Sequence, residues 1–186
     1  MSKLKFVDFK NNKQCNKDVK NLYKRAFPKE ERAPYWVLKA LAKKDNAKFY
    51  GIYNDEKFVG LVYNVYYKDI VFVFYLAIDE TLRGQGYGTE IIDLIKNKYE
   101  NYRIILNIEE IDEGSDNYKQ RIKRKKFYIK NGFYDLNYTI KEAGVTYEML
   151  CYSKENKKVT KEEYMQLMEN YFGNILFKYV YKKISE

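Results

Sequence analysis

Arg83-Gly84-Gln85-Gly86-Tyr87-Gly88 constrains this chain more than any other stretch. Before it runs Ile70 to Ile78, an apolar segment rich in β-branched and aromatic residues. The segment is too short to span a bilayer and reads as a buried strand. After the glycines comes Thr89 to Lys96, apolar at Ile91, Ile92, Leu94 and Ile95. That spacing predicts a helix burying one face. The order is therefore strand, short turn, glycine-rich loop, helix.

Such an arrangement binds anions. The first N–H groups of a helix lack partners inside it, and its dipole places partial positive charge there. Glycines let the preceding backbone turn sharply and approach a ligand, because no Cβ intervenes. Arg83 adds a forked cationic donor. The expected ligand is a phosphate or pyrophosphate. The bland alternative is a helix cap with an arginine beside it by chance.

The Walker A pattern fails, because neither Lys nor Ser/Thr stands at its required place. The dinucleotide pattern G-x-G-x-x-G fails at its last glycine, which here is Thr89. Glu109 lies about 20 residues downstream, which keeps a dinucleotide reading open. What fits is R/Q-x-x-G-x-G/A, and the stretch resembles the acetyl-CoA loop of the GNAT N-acetyltransferases. A second segment, Phe127-Tyr128-Ile129-Lys130-Asn131-Gly132-Phe133, resembles that family's F-Y-x-x-x-G-F. The two motifs stand in the family's order with a predicted strand between them. The resemblance, to a small bacterial-type member, covers roughly residues 3 to 153.

Composition narrows the chemistry. The 186 residues suffice for one domain with a sizeable core. Cys15 and Cys151 have neither metal nor redox spacing, so no metal is expected. The chain starts Met-Ser-Lys-Leu-Lys-Phe, which lacks the apolar core of a signal peptide, and no stretch is long and apolar enough for a membrane helix. The expectation is a cytoplasmic protein with free thiols and no membrane partner. There is no His, which removes the commonest general base and any Ser-His or Cys-His couple. Carboxylates, Tyr, Lys or water must carry proton transfer. The net charge of +9 reads as part of a compositional bias across the whole chain, in which Lys, Asn, Ile and Tyr are all abundant, with nucleic acid as the less favoured explanation.

In chain order, Leu4 to Phe9 alternates as a strand, and Asn16 to Phe27 has helical spacing ended by Pro28. Trp36, Leu38 and Leu41 suggest a second short helix. Lys48 to Tyr53, Lys57 to Tyr67 and Ile70 to Ile78 read as an antiparallel meander. Arg103 to Ile108 should lie parallel to Ile70–Ile78 after a right-handed crossover. A very basic helix follows Ser115, its expected N-cap, with Gly132 capping its end. Phe133 to Ile140 and Thr146 to Tyr152 form a hairpin turning near Ala143-Gly144. Thr160-Lys161-Glu162-Glu163 is a capping box opening an amphipathic helix, apolar at Tyr164, Leu167, Met168, Tyr171, Phe172, Ile175, Leu176 and Tyr179, with Gly173-Asn174 as a place for a break.

The resemblance implies an α/β fold (mixed α+β): a central, mostly antiparallel sheet splayed at the cofactor site, plus an extra C-terminal helix. Residues 1–153 would be the acetyltransferase domain. Residues 154–186 would be an amphipathic extension, packed on the domain or at a homodimer interface. The cofactor would be acetyl-CoA, entering between the strand ending at Ile78 and the strand ending at Ile108. Its pantetheine arm would pair with Leu76, Ala77 and Ile78, with the Leu76 N–H facing the thioester oxygen. Its pyrophosphate would rest on Gly84, Gln85, Gly86, Tyr87, Gly88 and Thr89, beside Arg83.

The acceptor implied is a primary amine, on a small molecule or a peptide. Glu31, Tyr35 and Trp36, in and after the loop between the first two helices, would help bind it. Histone-type members use a Glu four residues before the Leu76 position, but here that residue is Phe72. Glu109 is the substitute proton acceptor, acting through water. Tyr128, in F-Y-x-x-x-G-F, would be the general acid. The family often has Asn seven residues before this tyrosine, where this chain has Arg121, with Asn117 one turn earlier. The alternative from another class is a non-catalytic module that keeps the fold and binds nucleic acid through its basic helix. An enzyme would release CoA thiol in the presence of an amine; a module would bind RNA or DNA with steep salt dependence.

Overall fold

The computed structural model describes residues 4–29, 32–142, 144–173 and 177. Its strands are β1 (Leu4–Asp8), β2 (Ala47–Asn54), β3 (Lys57–Tyr67), β4 (Ile70–Ile78), β5 (Arg103–Glu109), β6 (Tyr134–Glu142) and β7 (Val145–Tyr152). Its helices are α1 (Lys13–Ala26), α2 (Tyr35–Leu41), α3 (Tyr87–Lys98), α4 (Tyr118–Lys130) and α5 (Lys161–Phe172). A single 3₁₀ turn, Glu80–Leu82, follows β4. The strand order is β1-β2-β3-β4-β5-β7-β6. Contacts group the chain into two units. One runs to Tyr66 and adds Val73–Tyr99; the other is Tyr67–Phe72 with the residues from Glu100 onward.

In the first unit, β2 pairs antiparallel with β1 and with β3, in registers such as Phe6↔Ile52 and Phe49↔Tyr63. Helix α1 starts earlier than its apolar spacing shows, because Asn12 caps it by accepting from the Cys15 N–H at 2.9 Å. It buries Cys15, Val19, Leu22 and Tyr23. Gly51 of β2 leaves room for that helix: a Cβ there would lie 2.7 Å from Cys15 Sγ. Tyr23, Phe49, Tyr63 and Tyr75 stack edge to face, with Tyr23–Tyr75 at 5.1 Å and Phe49–Tyr63 at 5.0 Å. Edge-to-face contact suits the ring quadrupoles.

In the second unit, the start of β4 runs parallel to β5 in the register Ile70↔Arg103, Val71↔Ile104, Phe72↔Ile105. The expected parallel crossover is thus present. β7 inserts between β5 and β6 and is antiparallel to both, with Leu106↔Leu150 on one side and Tyr134↔Cys151 on the other. Helix α5 opens on the expected capping box: Thr160 accepts from the Glu163 N–H, and Glu163 accepts from the Thr160 N–H. It buries Tyr164, Leu167, Met168 and Tyr171 within the chain itself. The Tyr164 ring meets Phe72 edge-on at 5.4 Å and its hydroxyl donates to Glu142 Oε1 at 2.7 Å. Ile175, Leu176 and Tyr179, the rest of the expected apolar stripe, lie outside the described residues. Among the described residues no helix is long and apolar enough to cross a membrane.

Candidate active site

In the first unit, β4 delivers the chain into the glycine loop. Phe74, Leu76 and Ile78 are half-buried, while Tyr75 and Ala77 between them are buried. The end of the strand is packed tightly from one side. A Cβ on Gly60 of β3 would lie 2.4 Å from the Ala77 carbonyl oxygen, so only glycine lets this backbone sit where it does.

The turn after β4 is fixed by Asp79, a residue that the sequence reading passed over. Its Oδ1 accepts from the Thr81 N–H at 3.1 Å and the Thr81 hydroxyl at 2.7 Å, and its Oδ2 pairs with Arg25 of α1 at 2.9 Å. The Thr81 hydroxyl, then its N–H and Arg25, outweigh burial and hold this carboxyl below its ordinary range. The spelling Asp-x-Thr at a strand end was the signal for such a turn.

Beyond it, Gly84 and Gly86 adopt φ of 77° and 86°, left-handed values that favour glycine. A Cβ on either would meet nothing within 4 Å, so the space over the loop is open. Gly86 is the N-cap of α3, which begins at Tyr87. The N–H groups of Tyr87 and Gly88 therefore have no carbonyl one turn back, and those of Gly84, Gln85 and Gly86 have no partner among the described residues. Arg83 is exposed and makes no ion pair among the described residues, while the Gln85 amide donates back to the Thr81 carbonyl. Tyr87 accepts from Asn54 at 3.2 Å, and Thr89 is exposed. Open space, unpaired donors and a free guanidinium at the positive end of a helix make an anion cradle.

The loop between α1 and α2 divides the expected acceptor residues. The Tyr35 hydroxyl donates to the Asn16 carbonyl and side chain at 3.2 and 3.1 Å, and burial, with Cys15 nearby, pushes its pKa up to about 12. Tyr35 is an anchor between the two helices. Trp36, in contrast, is 73% exposed and presents its ring to solvent. Glu31 lies outside the described residues.

In the second unit, Glu109 ends β5 with its side chain nearly covered, at 8% exposure. Oε1 accepts from Asn117 at 2.9 Å and lies 3.3 Å from Arg121, and Oε2 pairs with Arg124. Burial alone would raise this carboxyl, but the Asn117 bond and the two guanidiniums outweigh it and hold the pKa below the ordinary value. A carboxylate so paired is a weak proton acceptor, which argues against the base role read from the sequence. Asn117, not Ser115, is the N-cap of α4, and Asn117 makes no capping bond. The Ser115 hydroxyl instead donates to the Asp112 carbonyl at 2.6 Å. Arg121 donates to Asn117 and to the Glu110 carbonyl, both at 2.7 Å. Lys125 pairs with Asp135 and Glu148, so three cations of this basic helix are spent inside the unit.

Tyr128 lies near the end of α4, its ring against Phe127 at 5.2 Å and Phe133 at 5.6 Å. Its hydroxyl has no hydrogen-bond partner among the described residues. Apolar surroundings push the phenol up to about 12, with the Arg124 charge opposing.

The sequence matches the model of the acetyltransferase (GNAT) family over residues 16–133. No curated protein sequence matches it significantly. Among solved structures, a GNAT-family protein from Bacteroides thetaiotaomicron superposes with a TM-score of 0.73 at 16% identity, over 94% of this chain and 97% of that one. A spermidine N-acetyltransferase chimera of Vibrio cholerae SpeG and hSSAT gives 0.64 at 14% identity, over 83% and 97%. An aminoglycoside 6'-N-acetyltransferase complexed with coenzyme A gives 0.64 at 14% identity, over 84% and 99%. At these identities the superpositions speak for the fold, and the family match, which spans more than half of the 186 residues, speaks for descent. The chain belongs to the acetyltransferase (GNAT) family.

Proposed function

We propose that this acetyltransferase moves the acetyl group of acetyl-CoA to a primary amine by direct attack, with both substrates bound. The observation that carries the reading is the anion cradle at the start of α3: left-handed Gly84 and Gly86, open space above them, and unpaired N–H donors. That cradle fits a pyrophosphate, with Arg83 adding charge and the backbone from Gly84 to Thr89 supplying donors. Backbone groups of Leu76, Ala77 and Ile78 would hold the pantetheine arm, and the Leu76 N–H would stabilise charge that grows on the acyl oxygen. When bound, acetyl-CoA supplies an acyl group activated as a thioester.

The chain's own residues do the rest. An ammonium with a pKa of about 10 must lose its proton before it can attack, and water takes that proton here because Glu109 is committed to Arg121 and Arg124. Tyr128, whose hydroxyl has no partner among the described residues, is by its place in F-Y-x-x-x-G-F the group that would donate to the departing sulfur and recover its proton from water. Trp36 offers a ring face to the carbon skeleton of the acceptor, and Tyr35 holds that helix in place. An amine acceptor is supported by the solved structures whose names carry a substrate, spermidine in one and an aminoglycoside in another.

A thiol-release assay with acetyl-CoA and a panel of polyamines, aminoglycosides, amino acids and peptide N-termini tests the proposal. Release above the amine-free rate with at least one class is expected. CoA binding without stimulation by any amine would overturn it.

A further inference from the structure

Helix α4 lacks the features that usually hold a helix in place. None of its residues is fully buried, its first turn carries no acidic residue, and its N-cap side chain makes no capping bond. A missing cap costs about 1 kcal/mol, and cations near the helix start oppose the dipole. What it has instead is ion pairing: Lys125 meets Asp135 and Glu148 in its later half, and Glu109 gathers its first half. That one carboxylate, at the end of β5, takes Asn117 and Arg121 on Oε1 and Arg124 on Oε2. Arg121 closes the ring by donating to Asn117 and to the Glu110 carbonyl. Two residues of the helix and its N-cap are thus pinned to the end of one strand.

Tyr128 stands four residues after Arg124, so the two side chains are neighbours on one helical face. Ring contacts with Phe127 and Phe133 orient the tyrosine, but no bond among the described residues fixes its hydroxyl. The position of that oxygen is therefore set by where the helix sits. The charge beside it is set by whether Arg124 is neutralised. Both depend on Glu109.

We infer that Glu109 is a positioning residue for Tyr128, acting through Arg124 and Asn117 to seat α4 and to compensate the charge beside the phenol. The inference rests on the reading of Tyr128 as the acid. The influence of Arg124 on the Tyr128 phenol, which it lowers against the push of burial, agrees with this coupling.

A double-mutant cycle separates the possibilities. Glu109→Gln keeps the size of the side chain and a carbonyl for Asn117, but cuts both ion pairs. Arg124→Gln cuts one of them from a partly exposed position and serves if Glu109→Gln fails to fold. Each variant should lower kcat about 10-fold with KM for acetyl-CoA nearly unchanged. In a Tyr128→Phe background the same change should cost less than about 2-fold, because there is no hydroxyl left to position. An equal loss in both backgrounds would overturn the inference and restore Glu109 as an independent participant. Full turnover by Tyr128→Phe alone would overturn the acid reading, and the coupling with it.

Discussion

Arg103 and Glu163 meet as a two-bond fork, Nη1 to Oε2 at 2.9 Å and Nη2 to Oε1 at 2.8 Å. Arg103 also donates Nε and Nη2 to Asp69 at 2.8 and 2.7 Å, and Nη1 to the Lys158 carbonyl at 2.9 Å. All five of its N–H donors are used. Glu163 is at the same time the capping-box residue of α5. One side chain therefore starts α5 and ties it to the base of β5.

Glu163→Gln should destabilise the fold. Arg103 is buried, but the carboxylates are about a third or more exposed, so solvent screening discounts the loss to about 1–3 kcal/mol. Arg103 depresses both Glu163 and Asp69 below their ordinary values, chiefly by hydrogen bonding. For depressed acids the stabilisation is full above the unfolded pKa, about 4, and is lost as pH falls through the folded values. Urea melts should therefore show the parent losing stability below about pH 4, and the Glu163→Gln curve should be flatter there. Parallel curves would remove the fork from the stability of the chain.

Gly60→Ala tests the packing at the end of β4. The added Cβ would fall 2.4 Å from the Ala77 carbonyl oxygen, and a backbone atom cannot swing aside as a side-chain end can. The strand end that would carry pantetheine must shift. The stability of the fold and the CoA affinity should both fall, by about 1–3 kcal/mol and by several-fold respectively. A variant with unchanged affinity would show that Leu76–Ile78 do not hold the cofactor.

Local features were legible and distant pairings were not. Ile70–Ile78 was readable to the residue because a turn signal bounds each end of one apolar run. The Thr160–Glu163 capping box was readable because both partners lie within one turn. The start of α4 misled, because Ser115 and Asn117 are both good caps and only the Asp112 turn decides that Ser115 is spent elsewhere. Glu109 was found for its place at a strand end, but its pairing with Arg124, fifteen residues on, has no local signature. Trp36, expected to help bind the acceptor, is on the surface, since a two-turn helix buries only Leu38 and Leu41.

Removing residues 160–186 should be costly. Tyr164, Leu167, Met168 and Tyr171 are buried, and their loss would bare the chain they cover, including Phe72. Exposed apolar surface of that kind promotes association. A lower melting temperature and a larger mass in solution are expected by light scattering. An unchanged mass and melting temperature would show the helix to be dispensable.

Gly86→Val is the sharpest test of the anion cradle, provided backbone strain is separated from blocked space. Gly86 has φ 86° and nothing within 4 Å of a built Cβ. A branched side chain there pays about 1–2 kcal/mol for the left-handed backbone and also fills the space a pyrophosphate would need. Gly144 provides the matching control, with φ 80° and equally open surroundings, in the turn between β6 and β7. Gly144→Val should carry the same strain and leave CoA affinity unchanged. Calorimetry should then show a loss of affinity of about 10-fold or more for Gly86→Val alone, with similar drops in melting temperature for both. Equal CoA affinity in the two folded variants would mean that the glycines serve only to turn the chain, and that the pyrophosphate binds elsewhere.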